Sequence, residues 1–176
     1  MIVFDTETTG LIDNEALPLE SQPRIIEIGA IKVNFQLEVI AEFHALVRPD
    51  GYQLSDEIIA ITGITQEELN ARGRPFAAIL PALAGFFRGE EELLAHNLRF
   101  DLMMMVFELR RVDWQFRFPF PSRHIDSLTL FPGKLSEWGV KTGWPTPQAH
   151  RALDDCRLLL HCYRALVAAE EASWAR

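Results

Sequence analysis

Near its start the chain runs three apolar residues, Ile2-Val3-Phe4, directly into Asp5-Thr6-Glu7 and then Thr8-Thr9-Gly10. Side chains alternate between the faces of a strand, so a buried strand here aims Asp5 and Glu7 the same way, with Thr6 opposite. Two carboxylates on one face repel each other, and burial raises the pKa of at least one. Such a strand end is costly unless something positive sits between the two acids. The rest of the chain must supply it.

Residues 2–5 read as a short buried strand, followed by a polar loop, "LIDNEALPLESQPR". "IIEIGAIKV" and "LEVIAEFHALV" read as two strands joined through Asn34 as a hairpin. "SDEIIAITGI" offers a Ser55 cap and a short helix ending at Gly63, and "TQEEL" a further one-turn start. "PFAAILPALAGFFRG" is apolar at helical spacing, with a kink expected at Pro81 and an end at Gly89. "ELLAHN" is a fourth strand, and "RFDLMMMVFELRR" a helix that Asn97 would cap. "RHIDSLTLF" is a fifth strand entering a short helix. A Pro/Gly-rich stretch over 131–147 then leads to a last helix from about Arg151 to Ala172. Three consecutive strands followed by strands alternating with helices predict an α/β fold, a mixed five-stranded sheet flanked by helices.

With 176 residues, 48% of them hydrophobic, the chain can bury one sizeable core, and one domain over 1–176 is expected. Its apolar stretches are too short for a membrane span, and no basic-then-apolar leader precedes Asp5. A soluble, cytoplasmic protein without a membrane partner is expected. Cys156 and Cys162, six apart in one helical pattern, suit neither a short-range disulfide nor a paired-thiolate zinc site, which fits a reducing environment. The net charge of −8 runs against the basic surface usual for nucleic-acid binding. Carboxylates gathered at a metal site would enter that sum, however, and bound cations would reverse the field around them. Most basic residues are Arg, among them Arg99, Arg110, Arg111, Arg123 and Arg151. Arg suits bidentate phosphate contacts, although scattered Arg is commonly just a solvated surface.

Two further stretches echo the first. In "AHNLRFD", Asp101 falls in the first turn of a helix; in "HRALDD", His150 precedes a helix whose first turn holds Asp154 and Asp155. Each alone is an ordinary helix start, where acids complement the dipole. Together the three place acidic groups where strands end or helices begin, the usual location of sites in α/β sheets. Four converging carboxylates and one His suit two hard divalent cations, about 4 Å apart in in-line displacements at phosphorus. A neutral His beside the attacking water would be the general base.

"FDTETTGL", "AHNLRFD" and "HRALDD" resemble the three motifs of the DEDDh class of 3′–5′ exonucleases. Within that class the chain is most similar to the proofreading (epsilon) subunits of bacterial replicative DNA polymerases, which carry stretches like "IIEIGAIKV", "ITGIT" and "IDSLTLFPGK" in the same order. The resemblance implies a ribonuclease H-like fold, two Mg²⁺ or Mn²⁺ ions, and release of nucleoside 5′-monophosphates from a 3′ end. By position it implies Asp5, Glu7, Asp101 and Asp155 as metal ligands and His150 as the base. It further implies that Thr8, Gly10, Leu11, His96 and Phe100 hold the terminal nucleotides. Thr62 stands where the proofreading subunits carry a His.

The implied partner is nucleic acid with a free 3′ end, DNA ahead of RNA, with a DNA polymerase as a further candidate partner. An RNA-trimming enzyme with the same site is the alternative, and an inactive interaction module a distant one. The chain stops soon after the last helix, whereas proofreading subunits continue into a polymerase-binding tail. A self-sufficient exonuclease of bacterial or viral origin, or a partner held through another surface, is therefore expected. In "WQFRFPFP" an extended segment would put Trp114, Phe116, Phe118 and Phe120 on one face, either under a loop or as an exposed docking surface. The family spacing favours Asp155 over Asp154, and so does the helix pattern. Ala152, Leu159, Cys162 and Leu166 share the side of Asp155, whereas Arg151, Arg157, His161 and Arg164 share that of Asp154.

Overall fold

The computed structural model describes residues 1–145 and 148–174; positions 146–147, the end of the Pro/Gly-rich stretch, and 175–176 lie outside the described residues. Five strands form one sheet: β1 (Ile2–Thr8), β2 (Ile25–Val33), β3 (Val39–Leu46), β4 (Glu92–Ala95) and β5 (Arg123–Asp126). Their order is β3-β2-β1-β4-β5. β1–β2 and β2–β3 are antiparallel, while β1–β4 and β4–β5 are parallel, so the sheet is mixed. The helices are α1 (Asp56–Thr62), α2 (Gln66–Arg72), α3 (Phe76–Phe87), α4 (Leu98–Arg111), α5 (Ser127–Leu130), α6 (Leu135–Thr142) and α7 (Ala152–Trp174).

Alternation along β1 assigns its side chains to two cores. Ile2 and Phe4 pack with Phe76, Leu80, Leu83 and Phe87 of α3 and with Met104, Met105 and Phe107 of α4. Val3 faces the other way, against Leu135 of α6 and Cys156, Leu159 and Leu160 of α7. Phe4 meets Phe87 edge to face with centroids 5.4 Å apart. Full burial of each such side chain stabilises the fold by about 1.5–3 kcal/mol. Because Asp5 and Glu7 share the parity of Val3, the fold points them towards α7, while Thr6 points towards α4.

Several local details depart from the sequence reading. β1 continues past Asp5 to Thr8 because pairing with β2 persists to Thr8↔Ile25, with an irregularity between Glu7 and Thr8. The hairpin does turn at Asn34, whose Oδ1 accepts from the N–H groups of Gln36 and Glu38. α3 runs on through Pro81, which lies on its exposed side, and stops at Phe87, two residues before Gly89. Asn97 does not cap α4 with its side chain: its backbone is left-handed (φ 69°), and its N–H donates to Asp126 Oδ1 at 3.0 Å. The 114–121 segment is not a one-faced strand. Phe118 is buried against Phe87 and Phe120, whereas Phe116 is exposed and meets Trp114 edge to face. Cys156 and Cys162 are free and buried. Among the described residues, no helix is long and apolar enough to cross a membrane.

Candidate active site

Asp5 and Glu7 lie on β1 opposite Gly29 and Glu27 of β2. Asp101 sits in the first turn of α4, 2% exposed, and accepts a hydrogen bond from Thr6 Oγ1 at 2.7 Å. Asp155 sits in the first turn of α7, 4% exposed. Its Oδ2 accepts from Gln148 Nε2 at 2.7 Å, and its Oδ1 is buried with no hydrogen-bond partner among the described residues. His150, exposed, precedes the helix with φ at 48°. A non-glycine residue held there costs about 1–3 kcal/mol and persists only where its surroundings fix it. One ligand atom each of Glu7, His150 and Asp155 lies within 4.8 Å of the others. Asp154, next in sequence to Asp155, points outward and pairs with Arg157 at 2.7 Å.

Burying these acids together distorts their protonation. Burial, and then the charges of Asp101, Asp155, Glu7 and Glu27, push Asp5 well above the usual carboxylate range. Burial, reinforced by Asp155 and Glu27, pushes Glu7 up to about 8. Burial raises Asp101 to about 7 against the opposing hydrogen bond from Thr6. Asp155 rises to about 6, again chiefly through burial, with Gln148 pulling the other way. Arg151 and Arg157 at the start of α7 are engaged by other acids: Arg151 binds Glu27, and Arg157 binds Glu42 and Asp154. Two buried and two half-buried acids, with an oxygen of Asp155 unpartnered among the described residues, form a donor set that fits hard divalent metal ions. Asp5, Glu7, Asp101 and Asp155 could hold them.

The remaining sequence-predicted residues are dispersed along the rim. Thr8 Oγ1 donates to the Gly10 carbonyl at 2.8 Å, which tightens the exit of β1. Leu11 is 80% exposed. Phe100 lines an open cavity with Ile12, Asn97, Arg99 and Met103, and an Arg99–Glu15 ion pair of 2.6 Å crosses it. His96 is held on both ring nitrogens, by Ser127 Oγ at 2.8 Å and the Gly133 carbonyl at 2.9 Å. It therefore braces β4 against the chain after β5 in this state. Thr62 is buried and turned into its own helix end, donating to the Ile58 carbonyl and accepting from Ile64 N–H.

Three participants were hidden in the sequence. Gln148 follows the Pro/Gly-rich stretch, and no local pattern marks it. Gly29 and Glu27 looked like ordinary strand positions, although a lone acid inside the apolar run "IIEIGAIKV" is a signal that a buried partner exists. Glu27 is buried and bound by Arg151, His44 and the backbone of Ala152.

The exonuclease family RNase_T matches residues 2–163. The chain is 31% identical over 175 residues to DNA polymerase III subunit epsilon of Treponema pallidum, covering 94% of this chain and 75% of that one. Its fold is similar to the nuclease domain of 3′hExo, a DEDDh family member solved bound to rAMP (TM-score 0.75, 22% identity, 96% of this chain and 91% of that one). It is likewise similar to E. coli Exonuclease I in complex with a dT13 oligonucleotide (TM-score 0.77, 20% identity, 99% of this chain and 42% of that one). The sheet is that of ribonuclease H-like exonucleases. The chain belongs to the RNase_T exonuclease family and is an exonuclease.

Proposed function

We propose that this chain, as a single exonuclease domain over 1–176 acting in the cytoplasm, removes nucleotides from the 3′ ends of DNA in proofreading or repair. The observation that carries the reading is the cluster itself: four acids from β1, α4 and α7, with His150 beside two of them. Asp5, Glu7, Asp101 and Asp155 would hold two divalent cations, Mg²⁺ or Mn²⁺. When bound, such ions activate a water and offset charge on the leaving oxygen.

His150 projects from the solvent side of the cluster and takes the proton as the water oxygen attacks phosphorus. The P–O bond to the preceding 3′ oxygen breaks, and a nucleoside 5′-monophosphate leaves. Gln148 fixes one oxygen of Asp155, and Thr6 fixes one of Asp101, so neither acid can rotate freely. The exposed Leu11 and the half-buried Phe100 offer apolar surfaces for the terminal base, beside the backbone of Thr8 and Gly10. His96 would reach a nucleotide only by giving up a present partner.

DNA is favoured because the 31% relative is a DNA polymerase subunit, which also makes a polymerase the natural partner. The reading is tested by comparing labelled single-stranded DNA, mismatched primer-template and RNA of the same sequence under Mg²⁺ or Mn²⁺. Faster hydrolysis of RNA would move the substrate to the other polymer while leaving the site intact.

A further inference from the structure

Glu27 is a buried carboxylate beside the cluster, opposite Glu7 in the β1–β2 register. Its oxygens are all engaged. Oε1 accepts from His44 Nε2 at 2.7 Å and Arg151 Nη2 at 2.7 Å. Arg151 Nε lies 3.0 and 3.1 Å from the two oxygens, and Oε2 accepts the Ala152 N–H at 2.8 Å. Such full use of its acceptors leaves Glu27 unsuited to be a fifth metal ligand.

Ala152 is the first residue of α7, so its N–H is one that a helix leaves without an internal partner. Glu27 caps the helix from the neighbouring strand, and its charge complements the dipole. Two residues along on the same face, Gly29 lets the backbone of Ala152 and Leu153 rest directly on β2. The start of α7 is thus held to β2 at two points. The residue next to this clamp is His150, in its left-handed conformation. His44, half-exposed on β3, closes the remaining side of Glu27.

We propose that Glu27 is a positioning residue for the hydrolysis: by capping α7 and clamping Arg151 it fixes the backbone that presents His150, without touching substrate or metal. The proposal rests on the reading of His150 as the base. Small misplacements of a reacting group cost up to about 100-fold in rate, so the clamp acts on kcat rather than on substrate binding.

The test measures kcat and KM on a single-stranded oligonucleotide with Mg²⁺. Glu27→Gln and Arg151→Ala should lower kcat about 10–100-fold with KM within about threefold. Arg151→Lys, which keeps the charge without the bidentate fork, should recover part of the loss. Arg157→Ala, which frees α7 from Glu42 and Asp154 instead, should keep its rate. In a His150→Ala background, Glu27→Gln should cost less than about twofold more, because the two act as one unit. If Glu27→Gln does not fold, His44→Ala is measured in the same two backgrounds. Equal losses in both backgrounds, or an unchanged kcat with only a lower melting temperature, would overturn the proposal. An inactive wild type, or His150→Ala at full rate, would instead overturn the reading on which it stands.

Discussion

Gly29 on β2 and Ala152 at the start of α7 touch backbone to backbone: a Cβ on Gly29 would lie 2.5 Å from the Ala152 carbonyl oxygen and overlap its carbonyl carbon. The contact brings the first turn of α7, with Asp155, onto the strand that pairs with Asp5. Gly29→Ala should therefore force the helix outward. Overpacking of this kind costs about 1–3 kcal/mol. A urea titration should show that loss together with reduced activity; an unchanged midpoint would mean the helix has slack here.

Of the adjacent acids at the start of α7, only Asp155 faces the cluster. Asp155→Asn should abolish activity and weaken Mn²⁺ binding, because an amide replaces the buried carboxylate oxygen that would coordinate the ion. Asp154→Asn loses an exposed pair with Arg157, worth about 0.2–1 kcal/mol, and should stay within about threefold of wild type. Steady-state kinetics on the two variants side by side decide the matter, and the opposite ranking would reverse the assignment.

His150→Ala should lower kcat by about 10²–10⁴-fold, the range for general base catalysis. Metal binding, followed by Mn²⁺ electron paramagnetic resonance, should largely survive. A variant that hydrolyses DNA at the wild-type rate would remove His150 from the reaction.

Stability of the metal-free protein should fall as pH rises. Glu7 has an ordinary value of 4.5 and sits at about 8 in the folded chain. Between these values the folded chain holds a proton that the unfolded chain has released, so stability is full below 4.5 and is lost on the way to 8. Asp101, raised from 3.8 to about 7, and Asp155, raised from 3.8 to about 6, act in the same direction. Glu27 acts oppositely: lowered from 4.5 to about 2, chiefly by hydrogen bonds that outweigh its burial, it loses stability only as pH falls through that window. Melting curves in chelator should decline from pH 5 to pH 8, and Asp5→Asn should make the decline shallower by removing one acid that keeps its proton only in the folded chain. Saturating Mg²⁺ should reverse the slope. A flat profile in chelator would show that the acids do not repel as their burial implies.

The sequence carried the cluster because its acids fall at strand ends and helix starts, places that local pattern reveals. The five strands and the inward side of Asp155 were legible for the same reason, since alternation and helical spacing are short-range properties. What pattern could not show was who meets whom across the sheet. Glu27 and Gly29 lie over 120 residues from their partners at the start of α7, and nothing local to either end announces the pairing. Asn97 misled for a related reason. Its residue type suits a cap, but Asp126 from β5 claims its N–H and the backbone turns left-handed instead. The aromatic run at 114–121 shares one face only in an extended strand, and without strand geometry Phe116 and Phe118 separate.

The most direct measurement follows 5′-labelled single-stranded DNA incubated with the protein and Mg²⁺, with nucleoside products identified by chromatography. The ladder should shorten one nucleotide at a time from the 3′ end and yield 5′-monophosphates. It should stop in excess chelator and with Asp5→Ala or Glu7→Ala, both of which should stay folded. Shortening from the 5′ end, or hydrolysis undiminished by chelator, would contradict a metal-dependent 3′–5′ exonuclease built on these four acids.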